Sequence, residues 1–240
     1  MTPDAQAARA FYGALFNWSF EIGPPESGPY SMCRIGERNA AGMRPKPPDM
    51  PLPSVWTIYF ATADADRSAA QISELGGKLL MGPMDVFEDG RLLVATDSVG
   101  AVFGMWQPKR HTGTRVSGEH GSMSWHELST SDPEAAKTFY ATLFGLTARD
   151  LPTNDAKHFT LFHGEQAIFS ILEVHQQWPQ QIPAHWLNYF AVDHCDTAAH
   201  DVEKLGGTLK EKPFDSPYGR VAVAADPLGA HFSLIELVRS

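Results

Sequence analysis

The segment TPDAQAARAFYGALF at residues 2–16 returns as TSDPEAAKTFYATLF at residues 130–144. The register then holds along the chain. Pro53, Trp56, Tyr59, Phe60 and Ala61 recur as Pro183, Trp186, Tyr189, Phe190 and Ala191. Leu75-Gly76-Gly77 recurs as Leu205-Gly206-Gly207. Gly90-Arg91, Asp97, Gly100-Ala101 and Phe103 recur as Gly219-Arg220, Asp226, Gly229-Ala230 and Phe232. Matches that keep one register mark a duplicated folding unit. The repeat predicts two homologous domains, 1–109 and 120–240. The polar stretch at 107–121, QPKRHTGTRVSGEHG, reads as the linker.

The second copy carries the pattern whole. Residues 123–128 read as a strand. Asp132 caps a helix with Pro133 at its first position. Ala135, Ala136, Phe139, Leu143 and Phe144 recur at helical spacing, and Gly145 ends the run. Strands are expected at 158–163 and 166–174 around a Gly164-Glu165 turn. A proline-bearing loop at 176–184 matches one at 44–54. Next come a strand at 186–192 and a helix at 196–205 stopped by Gly206-Gly207. Three strands close the copy, near 208–211, 220–224 and 230–237. The tight turns at Pro217-Tyr218-Gly219 and Asp226-Pro227-Leu228-Gly229 imply a mixed or antiparallel sheet, hence an α+β fold. In the first copy the counterpart of strand 123–128 falls before Met1, so that sheet is expected to be one strand short, with its edge unpaired or covered by another segment; the alternative is a biological chain that starts earlier. An unpaired edge invites pairing, here with a second copy of the chain as a homodimer.

The net charge of −9 argues against nucleic acid, which needs a basic face, and against an anionic membrane surface. Cys33 and Cys195 form neither a zinc motif nor a disulfide framework. No apolar run approaches the ~18 residues of a membrane span. The first residues, MTPDAQ, lack the basic and apolar regions of a signal peptide, so a cytoplasmic location is expected. No phosphate-binding G-x-x-x-x-G-K-[ST] loop and no G-x-S-x-G elbow is present.

The run DPEAAKTFYATLFG at 132–145, the LGG at 205–207 and DPLGAHFSLIE at 226–236 together resemble the vicinal oxygen chelate superfamily, which contains glyoxalase I, extradiol dioxygenases and bleomycin resistance proteins. The resemblance covers nearly the whole chain, twice. It implies four βαβββ modules, paired into two cupped mixed sheets, each around a cavity. One fold of this kind hosts many chemistries, so function must be argued from the site.

Enzymes of the superfamily hold a divalent metal on four strand positions through His, Gln or Glu. Carried over, those positions are Trp125, Leu187 and Ser233 in the second copy, and Thr57 and Gly104 in the first. The remaining strand gives Ser170 and Gly42, with Glu173 as an outside candidate. Apart from Glu173, such side chains are poor metal donors. All ten histidines lie at or after His111. The expectation is therefore no metal cofactor. The alternative is a divalent metal held by non-standard ligands among Glu127, His231 and Glu173.

Strand alternation puts Glu127 on the face of Trp125, His231 with Ser233, and Tyr189 with Leu187. Glu127 and His231 are thus candidates for a general acid–base pair, for relocated metal ligands, or for a merely polar lining. Trp125, Tyr189, Leu187, Ser233, Tyr59 and Trp106 are the candidate ligand-binding residues. His126 is expected to face the helices. His158, His163, His175, His185, His194 and His200 read as surface positions. Arg91 and Arg220 read as partners of acids in the fold, with carboxylate binding as the other use. Phe214, Tyr218 and Trp178 could rim a pocket. The first reading is a small-molecule-binding protein without the family metal. A lyase, isomerase or dioxygenase with unusual ligands is the second, and a structural or partner-binding role the third.

Overall fold

The computed structural model describes residues 1–24, 30–47, 53–151, 156–174 and 183–238. The chain order spells the expected module four times. The first module holds α1 (Ala5–Phe16), β1 (Ser19–Ile22), β2 (Ser31–Ile35) and β3 (Arg38–Met43). The second holds β4 (Tyr59–Ala61), α2 (Ala65–Glu74), β5 (Lys78–Val86), β6 (Gly90–Thr96) and β7 (Val102–Pro108). The third holds β8 (Met123–Thr130), α3 (Pro133–Phe144), β9 (Thr147–Asp150), β10 (His158–His163) and β11 (Gln166–Glu173). The fourth holds β12 (His185–Ala191), α4 (Cys195–Lys204), β13 (Thr208–Ser216), β14 (Gly219–Ala225) and β15 (His231–Leu237). The fold is α+β, as the sequence predicts. No helix among the described residues is long and apolar enough to cross a membrane.

The helices start and stop where the sequence puts its caps. Asp4 accepts from the amides of Gln6 and Ala7 at α1, and Asp132 accepts from Ala135 at α3. Gly145 ends α3 at φ 63°, and Asn17 takes the same left-handed position after α1 at φ 55°. Two strands escape sequence reading. β1 and β9 are short and largely exposed, so they show no apolar alternation. β13 runs to Ser216 because bulges at Leu209–Glu211 and Glu211–Phe214 carry it past the expected end.

The compact units do not follow the sequence halves. Unit 1 combines residues 1–56, 113–124 and 188–240, and unit 2 combines 57–112 and 125–187. Module one therefore packs with module four, and module two with module three. In unit 1, β1-β2-β3 form an antiparallel sheet, and the second sheet runs β13-β14-β15-β12, with β12 parallel to β15. In unit 2 the orders are β4-β7-β6-β5 and β8-β11-β10-β9, with β4–β7 and β8–β11 parallel.

Aromatic side chains bind each pair of modules. Phe16 of α1 stacks on Phe190 of β12 at 4.9 Å between centroids, and Phe11 meets Phe232 of β15 edge-on. In unit 2, Phe144 of α3 packs on Phe60 at 4.8 Å, and Phe139 meets Phe103. The repeat residues Trp, Tyr and Asp form one buried relay per unit. Trp56 Nε1 donates to the Tyr12 hydroxyl and Tyr12 donates to Asp226 Oδ2, both at 2.9 Å. Trp186 Nε1 donates to Tyr140 at 3.3 Å, and Tyr140 to Asp97 Oδ2 at 2.8 Å. The other carboxylate oxygen of each Asp accepts two backbone amides of its own turn.

Ahead of α1 the described residues make one bridge to the sheet. Thr2 forms a parallel bridge with Pro45, as its repeat mate Thr130 pairs with Glu173. The Arg115 amide donates to the Asn39 carbonyl of β3 at 2.8 Å. Among the described residues, β2 is the one strand paired with β3.

Candidate functional site

Alternation divides each strand between a helix-facing core and an opposite face. In unit 2 the core takes Leu128, Phe159, Leu161, Phe169 and Ile171. The opposite face of β8, β11 and β10 therefore carries Trp125, Glu127, Ser170, His158 and Thr160. Ser170 lies directly across from Glu127. These side chains are joined. Trp125 Nε1 donates to Ser170 Oγ at 3.0 Å, and Ser170 Oγ donates to Glu127 Oε2 at 2.9 Å. An indole N–H can only donate, so the direction of this chain is fixed. His158 Nε2 stands 3.4 Å from the same Glu127 oxygen, with both side chains nearly covered at 15% and 12% exposure. That nitrogen is buried and has no hydrogen-bond partner among the described residues.

His158 is the main correction to the sequence reading, which put it at the surface. Phe159 and Leu161 claim the core side of β10, so His158 turns to the Glu127 face. Its signal was legible: it opens a strand whose apolar residues alternate with it. His126 shares the parity of buried Leu128, as expected.

The second sheet of unit 2 offers aromatic surface. Tyr59 pairs across from Gly104, and Trp106 across from Ala61 and Leu92. A Cβ on Gly104 would stand 2.4 Å from the Tyr59 ring, so glycine is what lets that ring lie on β7. Trp106 lies over Gly90 in the same way and donates to the His111 carbonyl at 2.8 Å. Leu187 is buried, in unit 2.

Tyr189, His231 and Ser233 fall in unit 1. Ser233 pairs across from Tyr189, and both stand opposite in parity to the core residues Phe190, Phe232 and Leu234. Ser233 is fully buried and its Oγ lacks a hydrogen-bond partner among the described residues. His231 is exposed. Thus Glu127 and His231, paired in the sequence reading, belong to different compact units. The sequence missed this because module exchange leaves no mark in a repeat whose copies carry the same core residues.

At several positions that the resemblance assigns to a metal, other contacts occupy the place. Trp125 and Ser170 are spent on each other, and Gly104 is roofed by Tyr59. At Gly42 a Cβ would meet the Tyr30 hydroxyl at 2.1 Å. Glu173 accepts from the Lys157 amide. Among the described residues, no group of three or more His, Cys, Asp or Glu could hold an ion. The two conspicuous arginines pair with acids in the fold: Arg91 with Asp66 and Asp85, Arg220 with Asp196 and Asp215. Phe214 and Tyr218 are exposed, and Trp178 and His175 lie outside the described residues.

The sequence model of the glyoxalase-like domain matches residues 125–235. CFP32 of Mycobacterium tuberculosis, a glyoxylase by name, is 34% identical over 98% of this chain and 91% of its own length. The anthracycline biosynthesis protein DnrV of Streptomyces peucetius is 32% identical over 98% and 90%. The Mn(II)-bound glyoxalase of Novosphingobium aromaticivorans superposes with a TM-score of 0.67 at 16% identity, covering 99% of this chain and 80% of that one, a likeness of fold. The repeated module order, the family-model match and these sequence relatives agree: the chain belongs to the glyoxalase-like family of the vicinal oxygen chelate superfamily.

Proposed function

We propose that the chain binds a planar aromatic small molecule on the core-distal faces of its sheets, without a metal at the family positions. One observation carries the reading. Trp125, at a position where the family places a ligand atom, turns its only polar atom to Ser170, which in turn serves Glu127. The position holds an aromatic ring and a committed hydrogen bond. Tyr59 on Gly104 and Trp106 on Gly90 supply further ring faces in the same unit. Stacking and apolar burial favour flat ring systems on such surfaces. DnrV, a relative by sequence, is named for the biosynthesis of anthracyclines, which supports a polycyclic aromatic ligand.

The test is a titration of tryptophan fluorescence with anthraquinone-2-sulfonate, before and after dialysis against EDTA. Saturable quenching that survives the chelator, with a raised melting temperature, is expected. Absence of binding, or binding abolished by EDTA, would contradict the proposal.

A further inference from the structure

Glu127 and His158 share one face of unit 2 and do not satisfy each other. Their closest approach, 3.4 Å from Nε2 to Oε2, lacks hydrogen-bond geometry, and among the described residues the buried imidazole nitrogen has no hydrogen-bond partner. A buried polar atom without a partner costs free energy unless something fills the role. The same carboxylate oxygen is held by Ser170, whose proton is committed by the Trp125 donor behind it. The carboxylate is thus positioned by a hydrogen-bond chain running along two adjacent strands, β8 and β11, and the imidazole stands on the third, β10.

We infer that Glu127 and His158 form the polar anchor of the ligand site and receive a ring hydroxyl, phenolic or enolic. This rests on the aromatic-ligand reading above and names the group that orients the ligand. A hydroxyl is the smallest group that both donates and accepts. It donates to the Glu127 carboxylate and accepts from His158 Nε2–H, in the tautomer that carries the proton on that nitrogen. An ether in the same place can accept from His158 but gives Glu127 no proton, and a bare hydrocarbon serves neither group. A site built to hydrogen-bond a hydroxyl rejects the analogue lacking it far more strongly than an apolar pocket rejects a shape change. The ring bearing the hydroxyl would lie against the aromatic surface of Trp125.

Calorimetric titration of the full chain with 2-naphthol and with naphthalene tests this, since the two differ by the hydroxyl. The expected result is 2-naphthol tighter by about ten-fold or more, the worth of one buried hydrogen bond or better. In His158→Phe and in Glu127→Leu the preference for 2-naphthol over naphthalene should fall several-fold, since each variant removes one of the two hydrogen bonds to the hydroxyl. Thermal unfolding of each variant confirms that it folds, and the His158 variant leaves the Trp125–Ser170–Glu127 chain intact should the Glu127 variant fail. Equal affinities for the two probes in the wild-type chain, or a preference undiminished in His158→Phe, would overturn the anchor and leave aromatic binding standing. No binding of either probe would overturn both.

Discussion

Tyr12 and Tyr140 occupy one position of the repeat and make the same contacts, from a Trp indole and to an Asp carboxylate. Burial pushes both phenols well above the usual range, and the neighbouring carboxylates Asp226 and Asp97 push in the same direction, so each stays a donor. Removing a hydroxyl strands a buried carboxylate oxygen and an indole N–H. Tyr12→Phe and Tyr140→Phe should each lower stability by about 1–3 kcal/mol, read as a shift in urea midpoint at unchanged slope. A neutral Tyr140→Phe would mean that water replaces the hydroxyl. Sequence reading found these residues as repeat matches but assigned them no partner, because the Asp lies in a different module and the module pairing is invisible in the chain. The cysteines give a second prediction. Burial raises the Cys33 thiol to about 12 and the Cys195 thiol to about 11, so few thiolates form at neutral pH. Ellman's reagent should label neither in the native protein and both in guanidinium. Rapid native labelling of Cys33 would show that its surroundings open.

Local rules explain the elements well. Asp132, Pro133 and Gly145 mark α3 at both ends in the sequence, and the helix runs from Pro133 to Phe144. Asp132→Ala should cost about 1 kcal/mol through the lost cap, measured by thermal or urea unfolding. β1 and β9 were illegible for the opposite reason: they bury little, so no selection for alternating apolar residues acts on them. The face assignment of β8 was legible from parity alone, which placed Trp125 with Glu127 and His126 with Leu128. The partner strand of β8 was not, so nothing in the sequence set Glu127 beside the face that carries His158. Gly104→Val tests the aromatic face of β7. The added side chain would displace the exposed Tyr59 ring rather than backbone. Aromatic-ligand affinity should therefore fall several-fold with little change in melting temperature. A large loss of stability instead would make Tyr59 a structural cover.

At the scale of the molecule, the repeat is legible and the pairing of its modules is not. Phe190 and Phe232 repeat Phe60 and Phe103, so either set could receive either helix face as far as sequence tells. The structure gives α1 to Phe190 and Phe232, and α3 to Phe60 and Phe103. Residues 113–240 expressed alone would carry half of each core without its complement. That fragment should not unfold cooperatively as a monomer; a monomer with a sharp two-state transition would argue against the exchanged units. The account as a whole rests on family positions turned from metal binding to aromatic ligand binding. Its most direct measurement is elemental analysis of the full chain purified without chelators. The account predicts transition metals far below one equivalent per chain. One equivalent of a divalent ion that stays bound through dialysis would contradict it.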